Sequence, residues 1–404
     1  MLSVEEARTR IVSAMRTMPA EQVALVESLG RVLAEDIVSR RTQPPTAVSA
    51  MDGYAVRAVD VAKVPATLAV IGQAPAGDAF EGKVGKGQAV RIFTGGPVPA
   101  GADAIVIQED TEADGDKVTV LESSAKGRYI RPAGLDFSEG DVIVRAGRVL
   151  SARDVGLAAA MNVPWLMVRR RPRIAILNTG DEVVMPGDPI GPNQIASSNG
   201  LALAALIHAI GGEAMQLGIA PDDHDALRTM AQGAKGADML VTTGGASVGD
   251  HDLVQSVLGE EGLEVDFWRI AMRPGKPLIF GLIGDTPLLG LPGNPVSSLV
   301  CAIVYLRPAL MAMLGIAAED EPVVTAKLAE PLPANDRRQD YLRATLAHDA
   351  NGGLTATAFA KQDSSMLVPL AQADGLIVRA PNAPAAEAGE PVEVLMMPAG
   401  VFRV

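Results

Sequence analysis

The stretch Leu240–Asp252, LVTTGGASVGDHD, is followed by Arg273-Pro-Gly-Lys-Pro and then by Leu291-Pro-Gly-Asn-Pro. Each of these turns follows an apolar, strand-like run. Gly244, Gly245 and Gly249 let the backbone bend close to an anion, and a helix opening at Asp250–Asp252 turns its N-terminal amides toward negative charge. Asn294 reads as the N-cap of a second helix, with Pro295 at the first helical position. One glycine loop alone is an ordinary α/β turn, whereas three at successive strand ends point to a held phosphate or related oxyanion. Arg269, Arg273 and Lys276 place cations around the middle turn, either as solvated surface groups or as a grip in which a guanidinium matches an oxyanion bidentately. Thr94-Gly95-Gly96 and Thr179-Gly180 join a hydroxyl to flexible backbone, as plain turns or as neutral donors.

Several carboxylates sit at turns instead of along helical faces: Asp52 in SAMDGYA, Asp136 in RPAGLDF, Glu182 in NTGDE, Asp222 in APDD, and Asp250 and Asp252 in GDHD. Any one of them can be a turn or cap residue, uses that Asp favours. As a set, oxygen ligands on loop tips suit Mg²⁺, which keeps waters and substrate phosphates around it. His224 and His251 lie beside acids but without HExxH or CxxC spacing, which disfavours a histidine metal centre. No Ser/His/Asp arrangement and no GxxxxGK[ST] loop occurs, so covalent catalysis and P-loop NTP hydrolysis are weak readings. Met51 and Tyr54 are expected to pack in a core.

The elements that must carry these loops follow from periodicity. Ser3 and Glu6 form a capping-box pattern ahead of Ala7, Ile11, Ala14, Met15 and Met18, one apolar helical face. From about Val64 to Val144 the pattern turns β-like, in TLAVIG, AVRIF, AIVIQE, KVTVLE and DVIVRAG, and reads as an inserted β module. A helical segment near Leu150–Met161 pairs with the opening helix as its flanks. The RRRPR cluster at Arg169–Arg173 reads as a solvated hinge. From Ile174 to about Leu314, strands alternate with helices, which implies an α/β domain with a mainly parallel sheet and ligands beyond the strands' C-terminal ends. Pro308 is expected to kink or break the long helix after Asn294. Beyond Glu321 five strand patterns make a C-terminal β domain.

At 404 residues with 48% hydrophobic and 21% charged side chains, the chain has material for two to four globular domains. A net charge of −13 without a long basic run excludes nucleic acid as a general partner. Any anionic ligand must therefore meet a local basic pocket. The lone Cys301 lies in an apolar helical run, a small packing residue that fits a reducing cytoplasm. Neither a signal core nor an uninterrupted apolar run of ~18 residues is evident, so secretion and membrane spanning are disfavoured.

Taken together and in order, SAMDGYA, FTGGPVP at Phe93–Pro99, NTGDE, GGASVGDHD, RPGKP and LPGNP closely resemble the molybdopterin molybdenumtransferases, the MoeA and gephyrin E-domain group. The glycine loop with PGKP and LPGNP also resembles the related adenylyltransferases, so the distinction rests on SAMDGYA and the flanking β domains. The resemblance implies an α/β plus β multidomain fold. Residues 1–46 and 132–169 would form a split helical domain and 47–131 an inserted β domain. Residues 170–316 would form a central MoaB/Mog-like α/β domain, and 317–404 a C-terminal β-barrel. It further implies a homodimer with an active site between the central domain of one subunit and the inserted domain of the other. The implied reaction is insertion of molybdate into adenylylated molybdopterin, with Mg²⁺, releasing AMP.

Carried over by position, Asp52, Glu182, Asp222 and Asp252 would be catalytic, and with Asp136 would hold the metal. Thr94, Gly244, Gly245, Ser247, Arg269, Arg273, Lys276, Pro292 and Pro295 would bind substrate. Arg269 and Arg273 stand where the family often has lysine, Ala246 replaces a larger apolar residue, and Ser364 with Ser365 resembles a family serine pair. The adenylyltransferase could be a protein partner. The alternatives are the adenylyltransferase step itself, or a noncatalytic dimeric scaffold.

Overall fold

The computed structural model describes residues 1–244, 253–316, 323–350 and 352–397. Gly245, Ser247 and Asp252 of the expected site, with Ala246, Gly249, Asp250 and His251, lie outside them.

The central layer is a six-stranded sheet in the order Glu213–Ala220, Arg173–Thr179, Met239–Thr243, Thr286–Leu291, Pro277–Ile283 and Leu263–Arg269. The first four strands run parallel, and Pro277–Ile283 is antiparallel to both of its neighbours, so Leu263–Arg269 at the edge runs in the direction of the first four. Buried parallel strands must be apolar on both faces, and their alternation is read out in two cores. Ile174, Ile176, Met239, Val241, Leu289 and Leu291 face one side, while Ala175, Leu177, Leu240 and Leu288 face the other. Helices Asn199–Ile210 and Pro295–Leu314 cover the first face, and His224–Ala231 with Leu253–Glu260 the second. Pro295–Leu314 is long and apolar enough to span a bilayer, yet 83% of its most apolar window is buried, as befits the helix at the centre of the protein. Pro308 does not break it. A π turn at Ala302–Leu306 widens the helix just before Arg307–Leu314, in which Pro308 occupies the first turn, where its missing N–H matters least.

The opening helix Val4–Ser13 is N-capped by Ser3, whose Oγ accepts from the Glu6 amide, but the Glu6 carboxylate pairs with Arg10. Its Val4, Ala7 and Ile11 are buried in the same core as the first face of the central sheet. The second helix, Ala152–Ala160, has a full capping box between Ser151 and Asp154. It belongs to a separate core with Val23, Leu33, Phe137, Val144 and Leu166. Around it, Ala20–Ala24 pairs with Trp165–Arg169 and Ile37–Val38 with Val142–Val144. DVIVRAG therefore lies outside the inserted sheet, a correction to the β run read up to Val144: its partner strand comes from the other side of the insertion. RRRPR is also more than a solvated hinge. Arg170 forks onto Asp238 at 2.7 and 2.9 Å, the Arg173 amide donates to the same carboxylate, and Arg169 donates to the Met18 carbonyl.

The inserted sheet has the order Ala104–Ile107, Gly53–Val56, Gln88–Ile92, Ala66–Ala74, Lys117–Val120 and Thr111–Asp114. Gly53 sits between two antiparallel neighbours so closely that a Cβ there would lie 1.9 Å from the Val106 carbonyl oxygen. Tyr54 is buried as expected, but Met51 is 38% exposed, because it precedes the strand and points away from the core. The C-terminal strands Gln339–His348, Leu354–Ala358, Val323–Leu328, Pro391–Met396 and Gly375–Arg379 close into a five-stranded barrel by the pairing of the last with the first. Met272–Arg273 adds in parallel to Gln339–Asp340, which fastens the RPGKP turn to the barrel.

Candidate functional site

The first group of expected site residues forms where SAMDGYA meets FTGGPVP. The Gly95 amide donates to the Ser49 carbonyl and the Ser49 amide to the Gly96 carbonyl, both at 2.9 Å, so the two loops are tied through their backbones. Gly95 has φ +82°, the left-handed region open to glycine. Asp52 Oδ1 then accepts from the Thr94 amide at 2.6 Å and the Thr94 hydroxyl at 2.8 Å. These bonds, the amide's first, and the charge of Arg91 hold the Asp52 carboxyl below the usual range, so it stays ionised through mild acid. Arg91, which the sequence did not single out, lies 5.1 Å from the centres of both the Tyr54 and Phe93 rings and donates to Gln108. Asp136 is exposed on a turn whose amide donates to the Gln43 carbonyl, after Ile130–Arg131 pairs with Val48–Ser49.

The second group forms at the C-terminal ends of the central strands. The Gly180 amide donates to the Ala220 carbonyl, and a Cβ on Gly244 would lie 2.3 Å from the Thr179 carbonyl oxygen. Gly244 also has φ +93°, so this close approach is reserved for glycine. Beyond these ends, the Asp222 amide donates to Asp181 Oδ1 at 3.0 Å. Burial, and then the charges of Asp181 and Glu182, raise the Asp222 pKa, the signature of crowded carboxylates. Asp181 was missed in the sequence, although its place between Gly180 and Glu182 was the available signal.

Asn199 was also missed, because it reads as the start of an apolar helix. Its Nδ2 donates to Thr243 Oγ1 at 2.9 Å and to the Gly293 carbonyl at 2.8 Å. Thr243 in turn donates to the Pro292 carbonyl at 3.2 Å and lies 3.3 Å from the hydroxyl of the fully buried Ser298. One amide thus joins the strand before the glycine loop to the LPGNP turn. Asn294 has the extended backbone of an N-cap, with Pro295 following, but its side chain leaves the helix and donates to Ser364 Oγ at 3.0 Å. The Val296 amide donates to the Ser364 carbonyl, so the barrel loop is seated on this turn. Ser365 is turned the other way, onto Asp363 at 2.6 Å.

The cations do not act alike. Arg273 is bound to Asp340 and Asp336 and donates to Asn335 at 3.2 Å, so its charge joins the turn to the barrel and is not free to meet an anion. Arg269 lies 3.6 Å from the Trp268 ring. Neither Arg269 nor Lys276 makes a side-chain hydrogen bond or ion pair among the described residues, and Lys276 lacks a ring contact as well. Cys301 is buried, and a Cβ on Gly275 would meet its sulfur at 2.3 Å, which is why PGKP needs glycine there. His224 faces Glu260 and Asp225 on the surface. Among the described residues, no three His, Cys, Asp or Glu side chains gather closely enough to hold a metal ion between them. Asp52 and Asp136 lie on loops of the insertion and its flank, and Glu182 and Asp222 at the central strand ends.

Three family profiles tile the chain: the MoeA N-terminal region (domain I and II) over residues 2–162, a probable molybdopterin binding domain over 175–312, and the MoeA C-terminal region (domain IV) over 325–397. A molybdopterin molybdenumtransferase of Nostoc sp. is 36% identical over 94% of this chain and 89% of its own. Molybdopterin molybdenumtransferase 2 of Mycobacterium tuberculosis is 35% identical over 93% and 95%. The crystal structure of a molybdopterin biosynthesis MoeA protein from Pyrococcus horikoshii aligns over 98% of this chain and 99% of that one, with TM-score 0.86 and 33% identity.

Proposed function

We infer the reaction from kinship and geometry together: the chain belongs to the molybdopterin molybdenumtransferases, the MoeA family. It is an enzyme of molybdenum cofactor biosynthesis that inserts molybdate into molybdopterin. The finer reading is that the pterin arrives adenylylated, that insertion is coupled to cleavage of its phosphoanhydride with release of AMP, and that Mg²⁺ is required.

The observation that carries this reading is the crowding of Asp181, Glu182 and Asp222 beside the backbone crossing of Thr179, Gly180 and Gly244. Three carboxylates next to an anion cradle would repel the substrate unless a cation lay between them. They do not gather into a three-ligand site by themselves, so a hard divalent ion would take one or two of these oxygens and complete its shell with waters and substrate phosphate. Mg²⁺ held there would supply charge neutralisation for the phosphoanhydride. The protein's own groups do the rest. Gly244 brings backbone close to the phosphate, Asn199 fixes the distance between the glycine strand and the LPGNP turn, and the unpaired Lys276 offers a cation to an oxyanion.

Asp52 and Thr94, on the insertion, complete the site from a second subunit in this account. A homodimer is supported by the apolar surface around the first paired strands, where Val26, Leu29 and Trp165 are 88%, 58% and 54% exposed. The partner's Asp52 would then face Glu182, ionised and prepared by Thr94. The adenylyltransferase, whose product this enzyme would consume, is the expected protein partner, and a reducing cytoplasm suits the single buried thiol. The test is Glu182→Ala and Asp222→Asn: both are expected to lose more than about tenfold in turnover, the scale of a removed electrostatic contact, with the melting transition retained. Full turnover in both variants would refute the acidic site.

A further inference from the structure

Three chain segments converge on Asp52 from separate strands of the inserted sheet. Asp52 itself opens Gly53–Val56, Phe93 and Thr94 leave Gln88–Ile92, and Gln108 leaves Ala104–Ile107. The Asp52 carbonyl accepts from the Gln108 amide at 3.0 Å, and Asp52 Oδ1 accepts from Thr94. One side chain bridges all three segments. Arg91, directly opposite Tyr54 in the antiparallel pair, donates Nη1 to the Gly53 carbonyl at 3.2 Å and Nη2 to Gln108 Oε1 at 2.7 Å. Its guanidinium lies 5.1 Å from the centres of the Tyr54 and Phe93 rings, one on the strand that Asp52 opens and one on the segment that carries Thr94. Ring faces and fixed acceptors together leave a planar guanidinium little rotameric freedom. No carboxylate lies within ion-pair distance of Arg91 among the described residues, so its fork serves this frame and not a salt bridge. The sheet does not need the bridge, because Gly53 is already paired with Ile92 and Ile107. What the fork adds lies at the strand ends, where the ladder stops and Asp52 begins.

We propose that Arg91 is a positioning residue for the insertion's part of the site: by tying Gly53 to Gln108 and packing against Tyr54 and Phe93, it holds Asp52 and Thr94 in the one mutual arrangement that the reaction uses. Arg91 touches no substrate itself. Asp52 Oδ1 is engaged by the Thr94 amide and hydroxyl, and no described residue donates to Oδ2, which is therefore the oxygen left to face the reacting groups. The direction of Oδ2 is set by the frame that Arg91 closes. A misplacement of about 1 Å at such a group costs on the order of a hundredfold in rate, even when the substitution lies away from the chemistry. The inference rests on the molybdenumtransferase reading and on the place of Asp52 within it.

Arg91→Met, Arg91→Lys and Gln108→Ala are measured in the full chain for kcat, the KM of molybdate, the KM of adenylylated molybdopterin, the melting temperature, and amide hydrogen exchange by mass spectrometry. The Thr94 and Gln108 amides, which donate to Asp52, are the reporters. Arg91→Met is expected to exchange about fivefold faster or more at these two amides, with the more distant strand Lys117–Val120 unchanged. Its kcat should fall about fivefold or more, with both KM values within about twofold of the parent. Arg91→Lys, which keeps the charge but loses the fork, should lie between parent and Arg91→Met. Gln108 is exposed, so Gln108→Ala is the variant best placed to fold, and it should show the same split to a smaller extent. Parental exchange at Thr94 and Gln108 would overturn the proposal, as would a local rise with kcat unchanged. Faster exchange throughout the inserted sheet with a lower melting temperature would overturn it too, since a purely structural arginine behaves in that way. A parent without molybdate-dependent turnover would fail the molybdenumtransferase reading instead, and the exchange measurement, which needs no turnover, still decides whether Arg91 holds Asp52 and Thr94 together.

Discussion

Asn199 offers the sharpest test of how the site is assembled, because one side-chain amide spans two loops. In Asn199→Ala the Nδ2 bonds to Thr243 Oγ1 and the Gly293 carbonyl, at 2.9 and 2.8 Å, are both lost. Thr243 keeps Pro292 and Ser298 as partners, whereas the Gly293 carbonyl loses its side-chain donor. At about 1 kcal/mol net per bond, with the orphaned carbonyl adding to it, the loss is about 2–3 kcal/mol. In a cooperative unit of 150–250 residues each kcal/mol moves the midpoint by roughly 2–4 °C, which gives a fall of about 4–12 °C. The diagnostic variant is Asn199→Asp. It is nearly isosteric, but a carboxylate can donate to neither acceptor and repels the Gly293 carbonyl, so it should melt below the alanine variant. Differential scanning calorimetry of the three proteins, with KM for the pterin substrate measured on the same samples, reads both consequences. Asn199→Asp melting with the parent, or above Asn199→Ala, would refute the assigned donor geometry.

Other expectations follow from the same contacts. The raised pKa of Asp222 means that the folded protein binds this proton more tightly than the unfolded chain. Its contribution to stability is therefore present below the unfolded pKa and lost as pH rises through the folded one. Asp222→Asn should accordingly melt slightly higher than the parent at pH 7 in chelator, by about 1–2 °C, with the gain vanishing below about pH 4; a lower melting point at pH 7 would count against carboxylate crowding. Lys276→Gln should leave the melting temperature within about 1–2 °C, since a surface group without a protein partner contributes little to folding, while raising substrate KM; a large loss of stability would mean that Lys276 serves the fold. Mixing an inactive Asp52→Ala chain with an inactive Glu182→Ala chain should restore part of the activity, and demonstrated heterodimers without recovery would argue against a site shared across subunits.

The α/β core was legible because its strands are buried on both faces and bounded by glycine turns: the MLVTT run at Met239–Thr243, and the helix Leu253–Glu260 after the GDHD acids, stand where the alternation placed them. The barrel strands were equally plain. What periodicity could not reveal was pairing across the insertion, so DVIVRAG was grouped with its sequence neighbours although Val142–Val144 pairs with Ile37–Val38. At the site, residue types identified the loops but not the partners of each charge. Arg273 looked like an anion grip because its carboxylates, Asp336 and Asp340, lie some sixty residues on in another domain. Asn199 escaped notice for the related reason that an amide at the start of an apolar helix has no local signature, and its role depends on Thr243 and Gly293, brought near only by the fold.

The central claim is tested most directly by following AMP and pyrophosphate side by side in the purified chain. Supplied with adenylylated molybdopterin, Mg²⁺ and molybdate, the protein should release AMP, and omission of either molybdate or the divalent ion should stop it, because cleavage is coupled to insertion. Supplied with free molybdopterin and Mg-ATP, it should release no pyrophosphate. Pyrophosphate from ATP, without molybdate-dependent AMP, would contradict the account and make the chain an adenylyltransferase.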